Sequence, residues 1–159
     1  MSTPTQKKKL RESMASYCRG AIANRQRIDY SQQRPFRLID RLDVGWHTLD
    51  CSGFVVNVFW NAMHDENVYL RDPSGQKFSG YGNTWTMEDW LRENGSRITT
   101  QPYLVGDIAM YDGHTAVCYS RGTSGSASWA SHGSEAGPLS VRLHYRPDVV
   151  GVWRHPVLT

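Results

Sequence analysis

No stretch of this 159-residue chain approaches the length of an apolar helix that crosses a bilayer, which excludes a helical membrane span. The basic cluster Lys7-Lys8-Lys9 has no apolar segment behind it, so the pattern of a secretory leader is missing too. Cysteine is scarce: three residues, an odd number with no close pair, give neither a disulfide framework nor zinc-ligand spacing, and no metal or other cofactor is expected. Cys18 and Cys118 read as small core residues. An excess of one charge is also lacking. A formal charge of +3 and a pI near 8.8 suit the approach to an anionic polymer but are too small to argue for nucleic-acid binding. Internal repeats and low-complexity tracts are missing as well. What is present, 39% hydrophobic and 11% aromatic residues, describes a globular chain long enough for one core and too short for two domains.

Leu10, Met14, Tyr17, Cys18, Ala21 and Ile22 form a helical stripe, which predicts an amphipathic helix over about residues 6 to 25. This helix, within an N-terminal segment 1–26, is expected to pack on a single domain spanning 27–159. The segment Thr86 to Glu93 predicts a short helix with a capping box at Thr86 and Asp89 and a stop at Asn94-Gly95. From Tyr103 to Arg154, apolar alternation and turn residues predict three to five antiparallel strands. The fold class is therefore α+β, with helices gathered on one side of a small antiparallel sheet.

The stretch Asp50-Cys51-Ser52-Gly53-Phe54 places a thiol where a helix begins. Phe54, Val55, Val58, Phe59 and Ala62 draw a buried helical stripe, and Asp50 is a good N-cap. A first-turn cysteine lies against unpaired N–H groups and the positive end of the helix dipole, which favours thiolate and makes a nucleophile. The plain alternative is an inert buried cysteine at a capped helix start.

A candidate base lies downstream. Leu104 to Tyr111 reads as a strand, Asp112-Gly113 as a tight turn, and His114 to Tyr119 as the next strand. The polar loop Ser120 to Ser126 then leads to Trp129-Ala130-Ser131-His132. A hairpin folded symmetrically about residue 123 pairs His114 with His132, Ala116 with Ala130 and Cys118 with Ser128. The face carrying both histidines would be lined by small residues and open to the helix starting at Cys51. A thiolate, a histidine and a polar group orienting that histidine make an activated nucleophile.

Asp50-Cys51-Ser52-Gly53-Phe54, then Gly106-Asp107 leading a strand into His114, then a second histidine one hairpin later, resembles the NlpC-type papain-like cysteine peptidases that cut peptidoglycan stem peptides. The resemblance covers roughly residues 27 to 154. It implies a papain-like fold with Cys51 as nucleophile, His114 as general base and His132 as the group orienting His114. The stretches Asp29 to Pro35 and Ser131 to Pro138 look like the peptidase domains of lysins from phages of actinobacteria. One departure is that the Tyr-x-Trp-Gly-Gly element many members carry before the cysteine is missing; Tyr30 stands as the upstream tyrosine on the oxyanion or substrate side.

The implied activity is that of a cysteine endopeptidase hydrolysing a stem-peptide amide, commonly between D-glutamate and diaminopimelate. N-acetylmuramoyl-L-alanine amidase or acyltransferase chemistry on the same scaffold is an alternative, as is a non-catalytic virion or wall-binding protein. The expected partner is bacterial peptidoglycan, with no nucleic acid, no membrane insertion and a monomer favoured. Without a leader, such an enzyme is expected to be made in the host cytoplasm as an endolysin released through a holin-type lesion, or to be carried in the virion. Besides the three catalytic candidates, Tyr30, Asp50, Ser52, Tyr81 and Trp85 are candidates for the substrate or oxyanion side. Tyr81 and Trp85, aromatics beside glycines, read more readily as packing anchors, and Glu135 as a solvated loop charge near His132. Asp107 is expected to fix a turn. His47, His64, His144 and His155 are read as surface or half-buried histidines.

Overall fold

Helix α1 (Pro4–Ala23) opens with a reciprocal cap in which Thr3 accepts from the Gln6 N–H and the Gln6 side chain accepts from the Thr3 N–H. In the computed structural model, which describes residues 2–133 and 137–159, its Leu10, Met14, Tyr17, Cys18 and Ala21 are buried. Helix α2 (Cys51–Glu66) begins at the thiol, with Asp50 as N-cap accepting from the Gly53 N–H at 2.8 Å. It ends at Asn67, whose φ of 52° supplies a left-handed cap. Residues 51–59 are all buried, because α2 lies between α1 and the sheet and has no solvent face over its first turns. Its buried amides clamp the 36–42 loop: Asn57 accepts from the Ile39 N–H and donates to the Arg37 carbonyl, and Asn61 accepts from the Leu42 N–H. Helix α3 (Thr84–Asn94) starts two residues earlier than predicted. The box is formed by Asn83 and Thr86, not by Thr86 and Asp89, while the stop at Gly95 is as expected.

Strands β1 (Ile28–Tyr30) and β2 (His47–Leu49) form a short parallel pair just before α2. The main sheet contains β3 (Ser96–Arg97), β4 (Ile108–Tyr111), β5 (His114–Ser120), β6 (Ser128–His132), β7 (Pro138–Val141) and β8 (Val149–Arg154). It runs in the order β3-β8-β4-β5-β6-β7, antiparallel throughout. Among the described residues, five of these strands fall in the Tyr103–Arg154 region, at the upper end of the expectation. Asp107 fixes the turn into β4: it accepts from the Leu104 N–H and takes two bonds from Arg154, at 2.7 and 2.8 Å.

Alternate residues divide the core into two layers. Val117 and Ala130 face α1 and α2 with Ile108, Met110 and Trp153, whereas Ala116 and Cys118 pack with Tyr111, Ala127, Trp129 and Leu143 on the opposite side. The β5–β6 hairpin carries a correction. Val117 pairs with Ala130 and Cys118 with Trp129, one residue out of the symmetric register, and an irregularity between Cys118 and Ser120 absorbs the slip. A shift of one residue turns every side chain of β6 to the other face. The small-residue face is consequently covered by Trp129 and Leu143, and α2 packs on the Val117 face.

Candidate active site

Cys51 lies at the first residue of α2 and is 4% exposed. The cap consumes the Gly53 and Phe54 N–H groups, leaving those of Cys51 and Ser52 to point at the sulfur, together with the N–H of Thr115 at the start of β5. This contact brings the helix start to the strand that begins with His114. Asp50 is shared among three donors: the Gly53 N–H, the Ser52 hydroxyl at 3.1 Å, and Arg34, which gives one bond at 2.6 Å to Asp50 and another at 3.3 Å to Ser52. Arg34 Nε also donates to the Gly82 carbonyl, tying the cap to the loop before α3. The thiol is not the depressed one the helix start predicts. Burial, and then the neighbouring Asp50 carboxylate, push it up to about 11, outweighing the N–H groups that act the other way. The resting group is a thiol.

His114 is 7% exposed. Its Nε2 is 2.8 Å from Ser131 Oγ, which is 3.0 Å from the Tyr145 hydroxyl, and its ring is tilted against Tyr111 at 5.8 Å. Ser131 therefore holds the place the sequence assigned to His132. His132, fully buried, is turned to the other side of β6, where Nε2 meets the Asp29 carbonyl at 3.1 Å and the Leu49 carbonyl at 2.9 Å. Two carbonyl partners require that Nε2 carry the proton. Its ring packs against Tyr30 and Phe54, and Nδ1 meets no hydrogen-bond partner among the described residues. Desolvation lowers its pKa and keeps it neutral. His132 staples β6 to the β1–β2 pair and is turned away from His114, so it does not hold the orienting position expected of it; the one-residue slip of the hairpin is the cause.

A cleft of about 270 Å³ opens over the thiol, lined by Tyr30, Gln32, Arg34, Asp50, Cys51, Asn83, Thr84, Trp85 and Gly113. Of the proposed substrate residues, Tyr30 and Trp85 stand on its walls, Trp85 at 64% exposure. Ser52 lies fully buried beneath it, bonded to Asp50 and Arg34. Tyr81 is exposed but does not line the cleft. Glu135 lies outside the described residues. Among those residues no group of three or more His, Cys, Asp or Glu side chains is placed to hold a metal ion, and no helix is long and apolar enough to cross a membrane. His155, expected near the surface, is fully buried between Phe59 and Trp90; its Nε2 bonds the Arg71 carbonyl and its Nδ1 accepts from the Val157 N–H.

No family model matches the chain, and no curated protein matches it. Ser131, Tyr145, Arg34 and the Thr115 N–H were missed by sequence reasoning. For Ser131 the only signal is its position next to His132, readable once the hairpin slip is known. Arg34 lies within a stretch the sequence singled out, but nothing there marked it as the partner of Asp50.

Proposed function

We propose that the protein is a peptidoglycan hydrolase, a cysteine peptidase with a papain-like NlpC-type fold that cleaves a stem-peptide amide, with the D-glutamyl-diaminopimelate bond favoured. The observation that carries this reading is an open cleft with a helix-start cysteine at its base, next to the first residues of a strand whose histidine is oriented by a polar side chain. With Nε2 engaged by Ser131, Nδ1 is the nitrogen assigned as base. As Cys51 Sγ attacks the carbonyl carbon, its proton passes to His114, so a raised thiol pKa is no obstacle: thiolate forms only as the bond forms. In this reading the Cys51 and Ser52 N–H groups receive the oxyanion. The tetrahedral adduct collapses as the C–N bond breaks and His114 returns the proton to the leaving amine. Water, deprotonated by the same imidazole, then attacks the thioester and restores the thiol. Ser131 brings no charge, so it fixes the ring's tautomer and direction without stabilising the imidazolium as a carboxylate does. The lysis setting proposed is that of a phage endolysin or a virion-associated lysin.

The test is incubation with diaminopimelate-type peptidoglycan and mass spectrometry of the new termini. A new diaminopimelate amine is the expected result. A peptide freed from muramic acid would assign amidase chemistry, and capture by added amine an acyltransferase. Sedimentation with the wall without any new terminus would make this a binding protein and overturn the proposal.

A further inference from the structure

Residues 29–34 form a partition one strand thick. Tyr30, Gln32 and Arg34 line the Cys51 cleft, while Asp29, Ser31 and Gln33 line a second, larger groove of about 750 Å³ on the other side. The floor of this groove is the 36–42 loop clamped by Asn57 and Asn61 of α2. Its far wall is the turn carrying Val44 and Trp46, and that turn is held in place: His47 Nε2 bonds the Val44 carbonyl at 2.6 Å and the Arg41 carbonyl at 3.0 Å, Asn24 donates to the Gly45 carbonyl at 2.9 Å, and Gly45 takes a φ of 83°. Trp46 is nevertheless 72% exposed, an indole held at its base with the Arg27 guanidinium 6.0 Å over its ring.

The chemistry of the lining narrows what the groove takes. The side chains of Asp29, Gln33, Arg37 and Asp40 are exposed and make no hydrogen bond or ion pair among the described residues, which leaves planar donors and acceptors available opposite the indole. Arg41 is paired with Asp43, which leaves Asp29 and Asp40 against Arg37, so the groove favours neither a polyanion nor a ligand rich in carboxylates. A rigid aromatic face with dispersed bidentate polar groups suits a neutral ligand with one apolar face and many hydroxyl and amide groups. A stem peptide, with its free carboxylates, fits this balance less well. We propose that this groove is a saccharide subsite, taking N-acetylhexosamine units of the glycan strand while the attached peptide crosses the 29–34 partition to reach Cys51. The assignment rests on the peptidoglycan reading of the cleft and adds to it the part of the polymer that the cleft does not hold.

The test separates the two claims. Cys51→Ala protein is titrated with N-acetylglucosamine tetramer and, in parallel, with a free stem tetrapeptide, following the Trp indole NMR signals. Saturable shifts at Trp46 with the sugar, and none there with the peptide, are expected. Trp46→Ala should weaken sugar binding by about tenfold, the effect of losing one aromatic contact. In the otherwise unaltered chain, Trp46→Ala and, as a second variant, Gln33→Ala should raise KM on intact peptidoglycan by several fold, with kcat and the hydrolysis of the free stem peptide unchanged. Sugar shifts at Trp46 in a protein that cuts no wall amide would uphold the groove and remove the proposed function. Wall hydrolysis with no sugar shift at Trp46, and with Trp46→Ala indistinguishable from the parent, would overturn the groove and leave the function standing. Peptide shifts at Trp46 in place of sugar shifts would also overturn it.

Discussion

Ser131 and His132 sit side by side in β6, yet one side chain reaches His114 and Tyr145 across one layer of the core, while the other reaches the Asp29 and Leu49 carbonyls across the opposite layer. Both are buried and polar, and either one satisfies the abstract need for a group that orients an imidazole. The strand's alternation decides between them, because only one of two consecutive residues can face His114. Residue type is therefore a weaker guide to role than register. A histidine, which looks catalytic, is here a staple, and a serine, which looks incidental, is the side chain bonded to His114.

The comparison breaks most sharply if the nucleophile and base are not where they are placed. Cys51→Ala should reduce turnover to background with the fold retained, and His114→Ala should cost about 10³-fold or more in kcat. Equal losses in His132→Ala, measured per folded molecule, would return that residue to the chemistry. Alkylation of Cys51 by iodoacetamide in the free protein should be slow at neutral pH and climb toward alkaline pH, following a thiol raised to about 11. Rapid labelling below pH 8 would show a thiolate paired with imidazolium and overturn the reading of a resting thiol.

The second effect separates the neighbours directly. Ser131→Ala removes a relay oxygen with little loss of volume, so kcat should fall by roughly tenfold to a hundredfold while the melting temperature moves by only a few degrees. His132→Ala should do the reverse. It empties a ring site against Tyr30 and Phe54 and removes the N–H shared by the Asp29 and Leu49 carbonyls, of which Leu49 keeps the Ser31 N–H, a cost of about 2–4 kcal/mol that comes mainly from the cavity, with turnover of the remaining folded protein close to the parent. Thermal melts beside kcat for both variants read the exchange. A Ser131→Ala variant with unchanged kcat would remove the relay.

The α+β class and the local placement of Cys51 and His114 were legible in the sequence. The cysteine at a capped helix start follows from local signals, namely Asp50 as cap and the apolar stripe behind it, and so does the His114 strand start after Asp112-Gly113. The hairpin partner of His114 was not legible, because the register depends on how the Ser120 to Ser126 loop closes, and one extra residue accommodated near Ser120 exchanges the two faces. The thiol's pKa was misjudged for a related reason. The helix start is visible in sequence, but the burial that outweighs it comes with the 30–34 and 83–85 segments and the start of β5, which are distant in the chain. Arg34 illustrates the same limit, since its bond to Asp50 spans two loops that no local pattern links.

A smaller effect concerns acid. His132 and His155 both have lowered pKa values from burial, His155 down to about 4 against 6.5 for the ordinary ring. A depressed folded-state pKa means that the unfolded chain takes up protons first. The stabilisation from the neutral ring is complete above pH 6.5 and is lost as pH falls from there toward 4, amounting for His155 to about 3 kcal/mol. Urea titrations at pH 7 and pH 4.5 should show this drop, and His155→Gln, whose amide also meets the Arg71 carbonyl, should flatten it at some cost in overall stability. A stability profile unchanged between those pH values would mean that His155 does not stay neutral in the folded protein.

The smallest effect tests how far the relay extends beyond Ser131. Tyr145→Phe removes one hydroxyl and keeps the ring, which packs edge-on against Tyr111 at 5.7 Å, so stability should hold within about 1 kcal/mol. Ser131 Oγ would keep His114 and lose its second partner, and a net hydrogen bond of about 1 kcal/mol corresponds to roughly a fivefold fall in kcat. KM should not move, since Tyr145 acts through Ser131 and stands outside the cleft lining. The double variant settles the route. If the phenol works only by positioning Ser131, Tyr145→Phe in a Ser131→Ala background should add no further loss, because the oxygen it acts on is already gone. A second fivefold fall in that background, or a rise in KM, would show that this 43%-exposed tyrosine meets substrate itself, and the relay would then end at Ser131.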